Sequence, residues 1–216
     1  MTSTSAMIHR IPRALLASLL LAACGAAHAQ ASASAPGTCE YDRVRLLALD
    51  RPEFDQDMSG GWRPLAAKPG CALAAADLLR DYRQAHADED GMLYWHEGQL
   101  RANAGRYEEA IPLLEHARKP PGTPDKAGWN SYVDATVAFL RRDRAALERA
   151  HTTLAAYPPT TGEGVPEVKD GYLVLDMNGG EQRRVRWPLN IEVVECLEKS
   201  FDKPYTEAYS NDCKTK

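Results

Sequence analysis

The stretch Trp95–Ala117, WHEGQLRANAGRYEEAIPLLEHA, carries the pattern that decides the fold. Gly98 in its first half and Ala110 in its second half are small residues among larger apolar ones. Small residues at facing positions let two helices approach closely, because a bulkier side chain would push the backbones apart. The pattern therefore predicts a helical hairpin, with one helix at 92–103 and a second at 107–118, joined by a tight turn.

Further helices are expected on both sides of this hairpin, where apolar residues recur at helical spacing. They are the segments 41–49, 72–86, 126–141 and 144–157. By contrast, Arg51–Gly70 is dense in Pro, Gly, Asp and Ser and is predicted to be a long loop. Residues 39–159 are therefore expected to form three helical hairpins in succession.

The C-terminal quarter, residues 160–216, has a different pattern. Two strands are expected, at 172–177 and 183–187, with a turn at 178–180 between them. A helix is expected at 191–201, and one more helical turn at 205–209. The strands are rich in aliphatic or alternating residues, and the Asn-Gly-Gly turn between them favours positive φ angles, which predicts a β-hairpin. Asn190 is expected to cap the first helix. This part of the chain would then cover the last helical hairpin.

The N-terminus has the features of a secretory signal. Arginines precede an apolar run, Ala14–Ala23, which is too short to span a bilayer as a permanent helix. Two cleavage sites fit the sequence. Residues 21–24, LAAC, resemble the bacterial lipobox, in which Cys24 would be lipid-modified, and Ala27-His28-Ala29 forms an ordinary A-x-A site.

These features predict a bacterial protein of the periplasm or outer membrane. Residues 1–29 are assigned to the signal and residues 30–38 to a flexible tether. Gly25 beside the lipobox cysteine favours the outer membrane if the chain is lipid-anchored. No second apolar run approaches spanning length, so no transmembrane helix is expected in the mature chain.

Four cysteines lie outside the signal: Cys39, Cys71, Cys196 and Cys213. An even number in an exported chain predicts two disulfides, with three possible pairings. The pairings Cys39–Cys71 and Cys196–Cys213 are favoured, because each closes a loop within one end of the chain. The spacing contains no C-x-x-C pair, which argues against a zinc site or a thioredoxin-like redox centre.

Charge and motifs exclude several classes of function. The chain has 216 residues and a formal net charge of −4, whereas nucleic-acid binding needs clustered Lys and Arg, so no nucleic-acid partner is expected. No phosphate-binding loop, dinucleotide fingerprint or serine-hydrolase elbow is present, and no cofactor is expected. Asp55–Gly60 begins like a calcium loop, but Ala66 stands where a bidentate glutamate is needed.

The histidines outside the signal show no metal-ligand spacing and are expected on helix surfaces. They are His86, His96, His116 and His151. In particular, the His96-Glu97 pair lacks the second histidine one helical turn later that a zinc protease requires. No metal site is therefore predicted.

The helical hairpin resembles one tetratricopeptide repeat (TPR), at about 91–124. Gly98 stands at the small position of the first helix, Ala110, Leu114 and Ala117 follow along the second, and the turn contains Gly105. The resemblance implies a mainly α fold, a short stack of antiparallel TPR-like helical hairpins with a C-terminal β-hairpin plus helix. Pro112 in the second helix departs from a regular helix because it removes one hydrogen bond.

The TPR resemblance also implies a ligand-facing side of the first helix. Its residues are Met92, Trp95, Gln99, Ala102 and Asn103. We expect Trp95 and Gln99 to make the main contacts, with Met92 and Asn103 beside them. The leading hypothesis is an exported, non-enzymatic scaffold or adaptor that binds a protein or peptide partner in the cell envelope through this helical surface.

The alternative hypothesis is a glycan-binding module or hydrolase of the cell envelope. Its stacking platforms would be Trp62, Trp95, Trp129 and Trp187. Asp55 or Asp57 would serve as the acid. The two hypotheses differ in geometry, because the alternative requires at least two of these rings in one cleft that also contains a carboxylate.

Overall fold

A computed structural model of the chain describes residues 38–125, 127–159, 167–176 and 182–210. The signal, Cys24 and most of the tether lie outside this range. The helices are α1 (Arg43–Leu47), a π-helical turn (Pro52–Gln56), α2 (Arg63–Ala66), α3 (Ala72–His86), α4 (Gly91–Asn103), α5 (Tyr107–His116), α6 (Trp129–Leu140), α7 (Arg144–Ala155), α8 (Ile191–Lys199) and α9 (Tyr205–Ala208). The fold is mainly helical, as predicted.

A small antiparallel sheet precedes α8. Its strands are β1 (Val168–Lys169), β2 (Tyr172–Asp176) and β3 (Gln182–Arg186), paired in the order β1-β2-β3. Leu173 lies opposite Val185, which sets the register of the predicted hairpin. The hairpin is confirmed, β1 was not anticipated, and the predicted turn at 178–180 lies outside the described residues.

The prediction of a long loop at Arg51–Gly70 is wrong. This segment contains the π-helical turn and α2, and each of them has a proline in its first turn, Pro52 and Pro64. Proline is favoured there, because the first N–H groups of a helix have no intrahelical partner. Phe54 and Leu65 are buried and fasten the segment to the helices that follow.

Helix α4 lies between two apolar cores. Leu93 and Leu100 belong to a core formed with α1, α2, α3 and the π-helical turn. Trp95 and Ala102 belong to a second core, which they share with α5 to α9. A helix with apolar residues on two opposite sides is buried rather than laid on a surface. This position of α4 decides which of its side chains can meet a ligand.

The close approach at Gly98 is confirmed. A Cβ atom built at Gly98 would lie 2.8 Å from both Cγ and Cδ2 of Leu114 and 3.3 Å from the carbonyl oxygen of Ala110. Helices α4 and α5 therefore pack against each other as the sequence pattern predicts. The hairpin depends on the absence of a side chain at this position.

Gly98→Leu is expected to lower the free energy of unfolding by about 1–3 kcal/mol. The physical reason is overpacking, because a branched side chain would occupy space that Leu114 already fills. Urea unfolding followed by circular dichroism measures the change. Asn103→Leu is the control, since it places the same side chain on α4 at an exposed position. Equal effects of the two substitutions would contradict the predicted close approach.

One predicted disulfide is confirmed. Cys39 and Cys71 are bonded, with their Cα atoms 5.5 Å apart, and the bond links the start of the described chain to the start of α3. Cys196 is also disulfide-bonded, whereas Cys213 lies outside the described residues.

Two expectations about single elements can be compared with the structure. Asn190 precedes α8 in a left-handed conformation, with φ 64°, and its side chain makes no capping hydrogen bond, so the predicted side-chain cap is wrong. Within the part of the chain that the structure describes, every helix is too short or too polar to cross a membrane.

Candidate binding surface

The structure places Trp95 in the second core. Its side chain is only 3% exposed, and its ring centroid lies 4.8 Å from that of Trp129 and 5.0 Å from that of Tyr132. The expectation that Trp95 contacts a ligand directly is therefore wrong. The physical reason is that α4 has apolar residues on two sides, and the Trp95 side packs on α6. The Trp95 side chain packs beneath the exposed residues of α4, in the second core.

The other predicted contact residues divide between interior and edge. Ala102 is buried, Gln99 is half-buried, and Met92 and Asn103 are exposed. The outer ends of the predicted ligand-facing side are therefore open to solvent, while its middle is covered.

Residues 201–209 of the chain itself cover the middle of this side; we call them the C-terminal segment. Tyr205 and Ala208 are fully buried in the core that contains Trp95 and Ala102. Helix α9, which carries them, contacts both α4 and α8. The face beneath the C-terminal segment is called the inner groove, and its residues are Gln99, Ala102, Tyr107, Tyr132 and Phe139.

Aromatic side chains hold the C-terminal segment in the inner groove. The ring of Phe139 lies 5.9 Å from that of Phe201 and 6.1 Å from that of Tyr205, measured between centroids. The hydroxyl groups of Tyr132 and Tyr209 are 3.1 Å apart and share a hydrogen bond. Such ring pairs add about 0.5–1.5 kcal/mol beyond the burial of their surface. These contacts fix residues 201–209 against α6 and the rest of the second core.

Backbone groups of the C-terminal segment are also bound. The backbone N–H of Tyr205 donates to the hydroxyl of Tyr107 over 3.1 Å. The guanidinium group of Arg142, at the turn between α6 and α7, donates to the carbonyl oxygens of Phe201 and Lys203. Arg142 has a φ angle of 57°, a conformation that non-glycine residues rarely adopt. Its hydrogen bonds to the segment offset that cost.

Two buried polar atoms in the inner groove remain unsatisfied. The Nε2 atom of Gln99 and the hydroxyl of Tyr205 have no hydrogen-bond partner of acceptable geometry among the described residues. Burial raises the pKa of Tyr205 well above its ordinary value of 10.0, and a poorly aligned hydrogen bond from the neighbouring Gln99 amide acts in the opposite direction. An unsatisfied buried polar group costs about 1–3 kcal/mol. The C-terminal segment therefore fits the apolar part of the groove better than its polar part.

A second buried polar cluster joins α3, α4 and α5. Glu97 is 2% exposed and lies between Arg83 and Arg101, with Arg101 Nε donating to Glu97 Oε1 over 2.9 Å. Arg101 also donates to Asp77 over 3.0 Å and to Glu109 over 2.8 Å. The spacing of Glu97 and Arg101 indicates a helical ion pair, but only the structure reveals its burial. All of its charges are paired, so the cluster acts as a clamp between helices.

Asp55 is the third buried polar site. Its carboxylate accepts hydrogen bonds from Trp62 Nε1 at 3.0 Å and Gln56 Nε2 at 2.7 Å, and His96 Nδ1 lies 2.8 Å away. Burial alone would raise the pKa of Asp55, but His96, the Trp62 indole N–H and the charge of Arg63 together lower it below 3.8. A carboxyl group with a lowered pKa stays ionised, which is the opposite of what a general acid requires.

This arrangement corrects two sequence-based expectations. His96 was expected on a helix surface, yet it is partly buried against Asp55, which is 41 residues away in sequence. The carboxylate of Asp57, the other candidate acid, is exposed and accepts hydrogen bonds from the backbone and hydroxyl of Ser59. Asp55 therefore anchors the π-helical turn to α4, and Asp57 stabilises a turn.

Asp55→Asn is expected to lower the free energy of unfolding by about 1.5–3 kcal/mol near neutral pH, because hydrogen bonds to an ionised group are lost. The folded-state pKa is the lowered one. The contribution of the carboxylate is thus fully present above its unfolded-state pKa, about 3.9, and is lost as the pH falls through the folded-state value.

The difference in stability between the original chain and Asp55→Asn should therefore shrink below about pH 4. Chemical unfolding across a pH series measures this difference. Asp57→Asn is the control, since its carboxylate is exposed and its loss should cost less. A difference that stays constant down to low pH would contradict the role assigned to Asp55.

The tryptophans do not form the cleft that a glycan site requires. Trp62, beside Asp55, belongs to the first core, whereas Trp95 and Trp129 pack together in the second. Trp187 donates its indole N–H to the backbone carbonyl oxygen of Tyr157. Only one of the rings thus lies next to a candidate acid. Among the described residues, no group of three or more His, Cys, Asp or Glu side chains could hold a metal ion.

Comparison with known proteins reveals no relative. No protein-family model matches the chain, and no curated protein or solved structure is significantly similar to it. The function must therefore be inferred from the residues of the chain itself.

Proposed function

We propose that the protein is an exported, non-enzymatic scaffold that binds a protein or peptide through the inner groove of its TPR-like helical stack. The observation that carries this proposal is the position of the C-terminal segment, which lies in that groove as a short aromatic peptide. Tyr205 is fully buried there against α4 and α6. A surface that holds one such peptide has the shape and chemistry to hold another.

The packing of α4 and α5 supports the TPR-like character of the stack. The two helices touch where Gly98 faces Leu114 and Ala110, which matches the small positions of the repeat. Helices α6 and α7 pack as the next hairpin. In such a stack Gln99 contributes a polar contact from the floor of the groove, and Met92 and Asn103 contribute contacts at its edges.

The buried carboxylates support a structural rather than a catalytic role. Asp55 has three donors, and Glu97 lies between two guanidinium groups. The partners of Asp55 stabilise its charged form, and the hydrogen bonds of both carboxylates hold their side chains in place. No observation favours the glycan hypothesis over peptide binding, because the two rings that meet, Trp95 and Trp129, pack in the second core. Asp55 lies instead beside Trp62 in the first core.

A photoreactive amino acid at Asn103 tests the proposed binding surface in the native cell envelope. Asn103 is exposed at the edge of the inner groove, so a bound protein should be cross-linked there. The control position is Glu108, which is exposed on α5 of the same hairpin. Cross-linking at Asn103 that greatly exceeds cross-linking at Glu108 is the expected result. Equal yields at the two positions, or none at either, would refute binding through this groove.

Export to an oxidising compartment is part of the proposal. The Cys39–Cys71 disulfide supports it, since such bonds persist in the periplasm and are rare in the cytosol. We propose a periplasmic or outer-membrane location, with lipid attachment at Cys24 as the anchor. Mass spectrometry of the mature N-terminus tests the anchor: a diacylated Cys24 is expected, and an unmodified chain that begins at Gln30 would contradict it.

A further inference from the structure

The start of the C-terminal segment, after Phe201, is exposed to solvent. Asp202, Lys203 and Pro204 are exposed, and they join α8 to the four-residue helix α9. Arg142 donates hydrogen bonds to the carbonyl oxygens of Phe201 and Lys203 in this link, so the segment can leave the groove only when those bonds break. Its own helix is too short to be stable alone, so it is ordered by the inner groove.

The contacts of the segment are complementary on the apolar side and incomplete on the polar side. Three residues fill the groove with a defined spacing: Tyr205 and Ala208 are fully buried, and Tyr209 stacks on Tyr205 with centroids 5.2 Å apart. Beneath them, the Gln99 amide and the Tyr205 hydroxyl are neighbours, but neither Gln99 Nε2 nor that hydroxyl makes a hydrogen bond of acceptable geometry among the described residues. Buried polar groups are nearly always paired in native proteins, so each unpaired one needs an explanation. A ligand that placed an acceptor in better alignment with Gln99 Nε2 would satisfy this amide more fully than the Tyr205 hydroxyl does.

We propose that the C-terminal segment is a displaceable occupant of the inner groove, and that a partner protein binds by inserting a segment of similar chemistry in its place. The partner segment carries two aromatic side chains four positions apart, with a small residue just before the second, as at Tyr205, Ala208 and Tyr209. It also presents a hydrogen-bond acceptor to Gln99. This inference rests on the proposed peptide-binding function and names the class of peptide.

Competition between the two segments follows from the shared site. A partner can bind only the fraction of molecules in which the C-terminal segment has left the groove, so its apparent affinity is reduced by that fraction. Weakening the internal segment should therefore strengthen the binding of a partner segment. This gain in partner binding is expected only when the weakened residues are Tyr205 and Tyr209, the tyrosines that occupy the groove.

A fluorescent peptide with the sequence of residues 201–210, FDKPYTEAYS, is the probe. We compare its binding to the full chain and to the variant with both Tyr205→Ala and Tyr209→Ala, by fluorescence anisotropy. The variant is expected to bind the peptide at least about tenfold more tightly than the original chain does, because its groove is no longer filled by the anchoring rings. Equal binding to both proteins, or binding to neither, would overturn the proposal.

Two controls isolate the groove. A peptide in which both tyrosines are replaced by alanine should not bind the variant. Tyr172→Ala removes a tyrosine from the surface of β2, away from the groove, and should leave binding at the level of the original chain. Equal gains from Tyr172→Ala and from the double variant would overturn the proposal, since the gain would then not depend on the groove.

Hydrogen exchange on the unaltered chain gives a readout that does not depend on the variant's folding. The amide N–H of Tyr209 is bonded to the carbonyl oxygen of Tyr205 over 2.8 Å. If the segment leaves the groove, this amide should exchange at least about tenfold faster than core amides of α6, which need global unfolding. If the Tyr209 amide exchanges only through global unfolding, the segment is a permanent part of the core and the proposal is wrong.

The outcomes separate this inference from the proposed function. Cross-linking at Asn103 together with peptide binding that the double variant does not change would refute displacement and would limit the contacts of a partner to the exposed edge of the groove, at Met92 and Asn103. Peptide binding that the double variant enhances, without any cross-linking at Asn103 in the cell envelope, would preserve displacement and refute the proposed role in the cell.

Discussion

Glu97→Ala is expected to lower the free energy of unfolding by about 3–5 kcal/mol. The substitution would leave the guanidinium groups of Arg83 and Arg101 without their common partner, although both side chains are only 10% exposed. Arg83 would lose its carboxylate partner while it stays buried, and a buried charge without a partner costs more than the ion pair itself contributes. Arg101, by contrast, would keep Asp77 and Glu109. The loss should therefore be among the largest that a single polar residue of this chain can produce.

Urea unfolding measures this loss, and Glu109 provides the matched control. Glu109 binds Arg101 at the other end of the same cluster, but its side chain is 47% exposed. Glu109→Ala should therefore change stability by only about 0–1 kcal/mol. If both substitutions cost the same small amount, water must reach the guanidinium groups, and the clamp assigned to Glu97 would be wrong.

Trp95→Ala is expected to cost about 3–5 kcal/mol of unfolding free energy, because it opens a cavity between α4 and α6. The ring is 3% exposed and contacts the rings of Trp129 and Tyr132. Loss of partner binding in this variant would follow from a damaged groove floor rather than from a lost contact.

Thermal unfolding followed by tryptophan fluorescence and circular dichroism tests this prediction. Met92→Ala is the control on the same helix, since Met92 is 36% exposed and its loss should change stability by less than about 0.5 kcal/mol. A Trp95→Ala protein as stable as the Met92→Ala protein would mean that the Trp95 ring is not part of the core.

The helices of the central region could be predicted because their signals are local. Helix α3 spans Ala72–His86, as its apolar spacing indicates, and the hairpin at Gly98 was predictable from its small residues. Boundaries were less accurate where distant side chains act. Helix α6 begins at Trp129 rather than 126, because the carboxylate of Asp125 accepts the first N–H groups of the helix.

The candidate site was only partly predictable. The sequence predicted that Gln99, Met92 and Asn103 share one side of α4 with Trp95, but it could not show that Trp95 is buried there. Burial of Trp95 depends on α6 and on the C-terminal segment, which lies about a hundred positions away and has no pattern that links it to α4. The same holds for the contact between Asp55 and His96, since long-range pairs of this kind leave no periodic signal in one sequence.

Helix α4 contributes side chains to both apolar cores, which affects how the molecule unfolds. Leu93 and Leu100 on one side, and Trp95 and Ala102 on the other, belong to different cores, so neither core can melt while the other keeps α4 intact. Helices α1 to α8 should therefore behave as a single cooperative unit on heating, and damage near the Cys39–Cys71 bond would lower the stability of the second core as well.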